Sequence, residues 1–124
     1  MMAHKVLKVG IISREDYMKR TIAIAKGEYK PKRGEPKIWF ESIQSMAQVF
    51  SNENQELLRI IIQQQPDSIT ALAQLTGHQT SYLSQILETM ARYGIVELKK
   101  ENKCLKPTVK TTDFKVEFSI NPSF

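Results

Sequence analysis

The sequence contains very little cysteine or histidine: one cysteine, Cys104, and two histidines, His4 and His78, among 124 residues. A single cysteine cannot form a disulfide within the chain and leaves no cysteine-rich zinc site. We therefore expect a reducing compartment and interpret Cys104 as a small packing residue. Because the histidines are far apart and have no ligand cluster beside them, we predict that the protein binds no metal.

Motifs of catalysis and nucleotide binding are also missing. No GxSxG, Walker A, GxGxxG or HExxH pattern occurs, and no nucleophile is accompanied by a recognisable base. We predict that the protein is not an enzyme and uses no cofactor.

Long apolar runs are absent as well. The longest, "LLRIII", is interrupted by Arg59, whereas a membrane span needs roughly 18 to 20 apolar residues. The first residues, "MMAHKVLKVG", contain no apolar signal core and no small-residue cleavage site. We therefore expect a cytoplasmic protein without a membrane partner.

Positive charge is unevenly distributed along the chain. The net charge is +5, and residues 1–50 hold ten Lys and Arg against five acids, whereas residues 51–124 hold eight against eight. Much of the excess lies in "KGEYKPKRGEPK", which we predict to be a loop because its prolines lack an amide donor. A basic surface suits a polyanion such as nucleic acid, but only where the charges cluster.

The first half of the chain alternates short strands and helices. "KVLKVGII" and "KIWF" have the pattern of short strands, and Ser13 can cap a helix over about residues 14–26 that stops at Gly27. Ser42 can cap a second helix. The apolar residues of one face of that helix are Ile43, Met46, Ala47 and Phe50.

The second half reads as three helices followed by a hairpin. Asn52 and Gln55 resemble a capping box, Ser68 can cap the next helix, and Gly94 can end the third. The expected core of the first of these helices is Leu57, Leu58, Ile61 and Ile62. "IVELKK" and "CLKPTVK", joined by "ENK", predict a two-stranded hairpin with Pro107 on an edge or near a strand end.

The stretch "TALAQLTGHQTSYLSQIL" predicts a helix-turn-helix corner. Ala73 is small where two helices approach, and Gly77 can adopt the positive φ of the turn. With Leu83, Leu87 and Met90 facing the core, the opposite face of the second helix is polar. On that face we predict DNA-reading residues: Thr80, Ser81, Tyr82, Ser84 and Gln85.

Phosphate contacts must come from outside that helix, because Arg92 is its only basic residue. We predict that Lys99, Lys100 and Lys103, around the hairpin turn, clamp the DNA backbone. The basic loop offers a further set of cations for a neighbouring phosphate or minor groove. They are Lys30, Lys32 and Arg33.

These motifs resemble a known family. Residues 52–110, with "SITALAQLTG" and "SYLSQILETMARYGIVELKK", are similar to MarR-like winged-helix transcriptional regulators. The front half, "KVGIISREDYMKRTIAIAKGE" and "KIWFESIQSMAQVFS", resembles the extension of a small prokaryotic family of regulators inferred to bind DNA. The resemblance implies a repressor, often the autoregulating antitoxin of a toxin–antitoxin pair with a protein toxin as partner. Relatives commonly have Arg where Gln85 stands.

The resulting prediction is an α+β fold: a winged helix-turn-helix with an N-terminal strand-helix extension and an extra C-terminal strand. The expected segments are residues 1–50, which dimerise or complete the core, residues 51–110, the winged helix, and residues 111–124, the C-terminal strand and tail. "FKVEFSI" needs a partner strand, either "LKVGII", "KIWF" or another subunit. We expect a homodimer that binds double-stranded DNA at half-sites roughly one helical turn apart.

A different class of function stays open at this point. A winged helix can act as a protein-protein interaction module without DNA binding. In that case Trp39, Phe40 and the apolar C-terminal strand would contact the partner protein. RNA binding is a weaker third alternative, because no strand platform interleaves aromatic and basic residues.

Overall fold

The structure is a computed structural model that describes residues 6–120. Within that range the chain forms five helices and five strands and divides into two compact units. The elements are β1 (Val6–Ile11), α1 (Arg14–Ala25), β2 (Ile38–Phe40), α2 (Ile43–Val49), α3 (Asn52–Gln64), α4 (Ile69–Thr76), α5 (Thr80–Arg92), β3 (Val96–Glu101), β4 (Cys104–Val109) and β5 (Asp113–Phe118). No helix in the described range has the length and hydropathy that crossing a membrane requires.

The two units do not follow the order of the chain. Residues 6–48 and 113–120 form one unit, here called the sheet unit, and residues 49–112 form the other, the helical unit. From the sequence we expect three segments, residues 1–50, 51–110 and 111–124. In the structure, the described parts of the first and third segments belong to one unit, in which β1 pairs with β5. His4 lies outside the described residues.

The sheet unit is built on three parallel strands in the order β2-β1-β5. Parallel neighbours need a crossover connection, and α1 supplies the one between β1 and β2. Of the three partners that the sequence allowed for the C-terminal strand, β1 is the one found, in the register Val9↔Val116. Val9, Ile38 and Phe40 point to one face of the sheet and are buried.

On the opposite face of the sheet, a tryptophan packs closely against a glycine. Gly10 lies beside Trp39 in the register of β1 and β2. A Cβ on Gly10 would come within 2.5 Å of Trp39 Cζ3 and 2.8 Å of Pro36 Cγ, so only glycine fits there. The guanidinium carbon of Arg20, from α1, lies 5.2 Å from the centre of the Trp39 ring, which is cation–π distance.

Arg20 also organises the basic loop. Its Nη2 donates to Glu35 Oε2 at 3.0 Å, and the Tyr29 hydroxyl donates to the other oxygen of the same carboxylate. Burial raises the pKa of the Glu35 carboxyl, but the hydrogen bonds from Tyr29 and Arg20 outweigh it and hold that pKa below its usual value. The hydrogen bond to Glu35 raises the pKa of Tyr29, since it favours the neutral phenol.

The helical unit begins with α3, whose cap differs from the predicted one. Ser51 Oγ, one residue before the predicted Asn52, accepts from the Asn54 amide at 3.2 Å. Asn52 could not serve, because it already has helical conformation. Leu57, Leu58 and Ile61 are buried as predicted, whereas Ile62 is 36% exposed.

The predicted cap at Ser68 and the predicted positive φ at Gly77 are both found between α3 and α5. Ser68 Oγ accepts from the Ala71 amide at 3.0 Å and caps α4. Gly77 adopts φ +77° and ends α4 by donating to Ala73 O at 2.8 Å, so the chain turns sharply before α5. Leu72 on α4 and the inward residues of α5 are completely buried.

The hairpin of β3 and β4 closes this core. Val96 and Pro107 are buried on its inner face, and the strands pair antiparallel with Leu98 opposite Pro107. Asn102 and Lys103 both have positive φ, as a two-residue type I′ turn requires. The turn is therefore one residue shorter than "ENK", because Glu101 still belongs to β3.

Several predicted burials are wrong. Cys104 is exposed at the start of β4 and is not a packing residue. In α2, Ile43 is 50% exposed and Ala47 is exposed, and the buried residue is Val49. None of the residues of α1 is fully buried, and Met18 is 55% exposed.

The close contact at Gly10 gives a first prediction. Gly10→Ala should lower the free energy of unfolding of the sheet unit by about 1 to 3 kcal/mol, because the added methyl group must displace the Trp39 ring. Denaturant unfolding followed by fluorescence of Trp39, the only tryptophan, measures it. Glu41→Ala, at an exposed position, is the control and should stay within about 0.5 kcal/mol. Equal stability of both variants would contradict the packing.

The depressed pKa of Glu35 predicts acid sensitivity. A carboxyl whose pKa is lower in the folded state stabilises the fold above its unfolded pKa and loses that contribution as the pH falls through the folded pKa. The melting temperature of the wild type should thus decrease once the pH is lowered below about 4.5, the usual pKa of a glutamate carboxyl. The variant Glu35→Gln should be less stable at neutral pH, and its melting temperature should decrease less on acidification. Glu53→Gln, at an exposed site, should match the wild type.

Candidate nucleic-acid interface

The two sides of α5 differ sharply in exposure. Leu83, Leu87 and Met90 are completely buried, and this burial fixes the rotation of the helix about its axis. Thr80, Ser81, Tyr82 and Gln85, four of the five predicted reading residues on α5, are exposed, and Ser84 is half-buried at the border. The predicted residues of α5 therefore lie together on one accessible side, with Ser84 least available.

The N-terminal end of α5 carries no side-chain cap. Gln79 is the N-cap residue and its side chain makes no capping hydrogen bond, and the first turn contains no acidic residue. Free amides at a helix start attract anions such as phosphate. His78 stands beside this end, with its ring centre 5.2 Å from that of Tyr82. The helix itself thus provides positive potential that a count of Lys and Arg misses.

A shallow surface cavity of about 280 Å³ runs along the exposed side of α5. It is lined by Tyr82, Gln85, Ile86 and Thr89. Sequence reasoning missed Ile86 and Thr89, although the four positions have offsets 0, 3, 4 and 7, which is one helical face. Thr89 Oγ1 donates to Gln85 O at 3.1 Å and accepts from Arg92 Nη2 at 3.3 Å, so the Arg92 side chain lies along this face.

The three predicted phosphate clamps lie around the hairpin turn but not on one face. Alternation along β3 places Lys100 on the inner face, beyond Val96 and Leu98, and Lys99 on the outer face. Lys103 occupies the turn itself. All three lysines are exposed. One DNA backbone strand therefore cannot contact Lys99 and Lys100 equally.

Acidic neighbours make Lys99 less suitable as a phosphate contact. Glu97 and Glu101 share the outer face with Lys99, two residues before and after it. Lys106 lies opposite Lys99 on β4 and its Nζ is 3.8 Å from Asp67 Oδ1, so part of its charge is neutralised. Of the three predicted clamps, Lys99 is therefore the one with acidic neighbours on its own face of the hairpin.

The basic loop contributes to a separate cavity within the sheet unit. Lys32 and Arg33 line this space of about 680 Å³ together with Arg20, Trp39 and Glu117. Lys8 lies at its border, where its Nζ is 3.1 Å from Glu117 Oε1. The structure thus groups two of the three predicted loop cations around this cavity, whereas Lys30 does not line it.

The described residues contain no group of three or more His, Cys, Asp or Glu side chains that could hold a metal ion.

Comparison with known proteins adds one relationship. Neither the curated proteins nor the solved structures contain a match to this sequence. The sequence model of the family HVO_A0114 matches residues 49–116, which is more than half of the chain. The match spans the helical unit, residues 49–112, and continues into β5. The protein therefore belongs to the HVO_A0114 family.

Proposed function

We propose that the helical unit is a winged helix-turn-helix and that the protein is a sequence-specific DNA-binding transcriptional regulator. It acts as a repressor by occupying its operator, as a cytoplasmic homodimer. The order α3, α4, α5 and hairpin supports this proposal, as does the sharp corner at Gly77. In this arrangement α5 is the recognition helix and the β3–β4 hairpin is the wing.

One observation carries the proposal. The exposed side of α5 presents hydroxyl and amide groups while its opposite side is fully buried. A helix held rigidly in this way can enter a major groove, which admits an α-helix and displays distinct donors and acceptors for each base pair. Gln85 can bind adenine through its amide oxygen and nitrogen together, and Thr80 and Ser81 suit phosphates near the helix start.

Affinity then comes from three sources around the recognition helix. The uncapped amides at the start of α5 offer a phosphate site, Lys100 and Lys103 extend from the wing, and Arg92 lies at the other end of α5. With few cations on the helix itself, non-specific binding should be weak. We propose that a second copy in a homodimer makes up the deficit by doubling the phosphate contacts.

The biological setting favoured by the resemblance of the front half to a small prokaryotic family of regulators is autoregulation. In that setting the protein represses its own operon as the antitoxin of a toxin–antitoxin pair, and a protein toxin is its partner.

A protein-protein interaction module is the alternative function. The observation in its favour is the low cation content of α5, which carries Glu88 as well as Arg92. The contact surface suggested from the sequence needs correction, because Phe40 is only 1% exposed and belongs to the core. Trp39 lies on the opposite face of the sheet from Val116 and Phe118, so a partner protein would contact either Trp39 or the exposed apolar residues of β5.

The division of labour on the interface gives a testable prediction. Gln85→Ala should reduce discrimination between the operator and a single-base variant by about 1 to 3 kcal/mol, because one bidentate base contact is lost. Lys100→Ala should weaken binding to every duplex and lower the slope of log affinity against log salt by about 1. Fluorescence anisotropy with an operator selected from random DNA measures both quantities.

Lys99→Ala is the matched control for the wing. It removes the same charge one residue away, but on the outer face between two glutamates, so its salt slope should change by clearly less than that of Lys100→Ala. Equal slopes for the two lysine variants would contradict the assigned wing geometry. Absence of any salt-dependent binding to duplex DNA would overturn DNA binding and favour the interaction module.

A further inference from the structure

The apolar face of the parallel sheet is incomplete on the side of β5. Val9 on β1 is fully buried, whereas its neighbour Val116 on β5 is 49% exposed and Phe118 is 55% exposed. All three side chains point to the same face, because residues in register across a sheet share a face. Apolar surface that is covered on β1 thus continues into surface that is half open on β5.

β5 is also the last strand of the sheet on that side, among the described residues. Natural edge strands are usually blunted by proline, by bulges, by very short length or by charged side chains, especially lysine. Of these features β5 has only the charges, Asp113, Lys115 and Glu117: it is six residues long, contains no proline, and is paired with β1 along its whole length. Such an edge can pair with a strand whose charges complement its own.

The charges of β5 select a particular partner and register. Consider two β5 strands that pair antiparallel about a two-fold axis. The apolar faces of both copies then lie on the same face of the combined sheet only if one residue lies opposite its own copy. Two such registers overlap by five residues. Centring on Lys115 sets Lys115 against itself and Asp113 against Glu117, whereas centring on Val116 sets Lys115 against Glu117 twice. Only the second register is electrostatically complementary.

Within residues 6–120, Lys115 lacks an anionic partner that a second copy of the chain could supply. Its neighbour in register on β1 is Lys8, another cation, whose Nζ is 3.1 Å from Glu117 Oε1. Among the described residues Lys115 forms no ion pair of its own. Glu117 of a second copy, placed opposite Lys115, would supply the missing anion.

We propose that two copies of this chain associate through antiparallel pairing of β5 with β5, centred on Val116, to form one continuous six-stranded sheet. The side chains of Val116 and Phe118 then pack against those of the second copy on the apolar face, and two reciprocal Lys115–Glu117 pairs fix the register on the other face. This pairing supplies the homodimer of the proposed DNA-binding function and rests on that function only for its biological purpose.

Charge reversal in the full-length protein tests the pairing without DNA. Sedimentation equilibrium should show a wild-type dimer. Lys115→Glu and Glu117→Lys should each raise the dimer dissociation constant about tenfold or more, because each creates two like-charge pairs. An equimolar mixture of the two variants should recover dimers, because every cross-strand pair in the heterodimer has opposite charges. Unchanged Trp39 fluorescence confirms that the sheet unit stays folded.

Cysteine cross-linking reads the register directly. In a Cys104→Ser background, Val116→Cys should form a disulfide-linked dimer with copper phenanthroline as oxidant, because opposite residues lie about 4.5 to 5.5 Å apart at Cβ. Lys115→Cys is the control and should cross-link far less. Cross-linking through position 115 instead would overturn the register.

Three further results would overturn the proposal itself. They are a monomeric wild type, a wild-type dimer insensitive to both charge reversals, and failure of the mixture to recover dimers. A β5-paired dimer without DNA affinity would contradict only the proposed function.

Discussion

Burial of one side of α5 is the constraint on which the candidate interface depends. Leu83, Leu87 and Met90 are completely removed from water, and each such side chain contributes roughly 1.5 to 3 kcal/mol relative to exposure. Together they are comparable to the net stability of a small domain, about 5 to 15 kcal/mol. Rotating α5 to hide its polar side would forfeit this stabilisation. The outward direction of Gln85 therefore follows from the apolar residues behind it.

The β3–β4 hairpin likewise has buried apolar residues on one face and exposed charged residues elsewhere. Val96 and Pro107 are buried on the inner face of the hairpin, and alternation along β3 places Lys100 on that face and Lys99 on the outer face. The sum of charges in this region says little about its potential, because Glu97 and Glu101 accompany Lys99. Position on a face decides whether a lysine can reach a phosphate.

Local sequence signals predicted much of this architecture. Caps at Ser13 and Ser68, the turn at Gly77 and the buried line on α5 are confirmed because each depends on residues close in sequence. The cap of α3 is Ser51 and not the predicted Asn52. The sequence does not distinguish them, since both residues carry side chains that can cap a helix. For the site, the exposure of Tyr82 and Gln85 followed from the helical period.

Features that depend on distant residues could not be predicted in the same way. Alternation identified β5 as a strand, but pairing with β1 across more than a hundred residues leaves no local signal. Periodicity marked Met18 and Ile43 as apolar-face residues, yet it does not reveal whether anything covers that face. The cluster of Arg20 with Glu35 and Trp39 arises only when α1, the basic loop and β2 come together.

We propose that the exposed side of α5 and the turn of the β3–β4 hairpin together bind duplex DNA. Backbone-amide chemical-shift changes during titration of the full-length protein with its selected operator duplex test it most directly. We expect the largest changes from Thr80 to Gln85 and at Lys100 and Lys103, with Leu87 and Met90 little affected. Changes confined to the sheet unit, or no changes at saturating DNA, would contradict it.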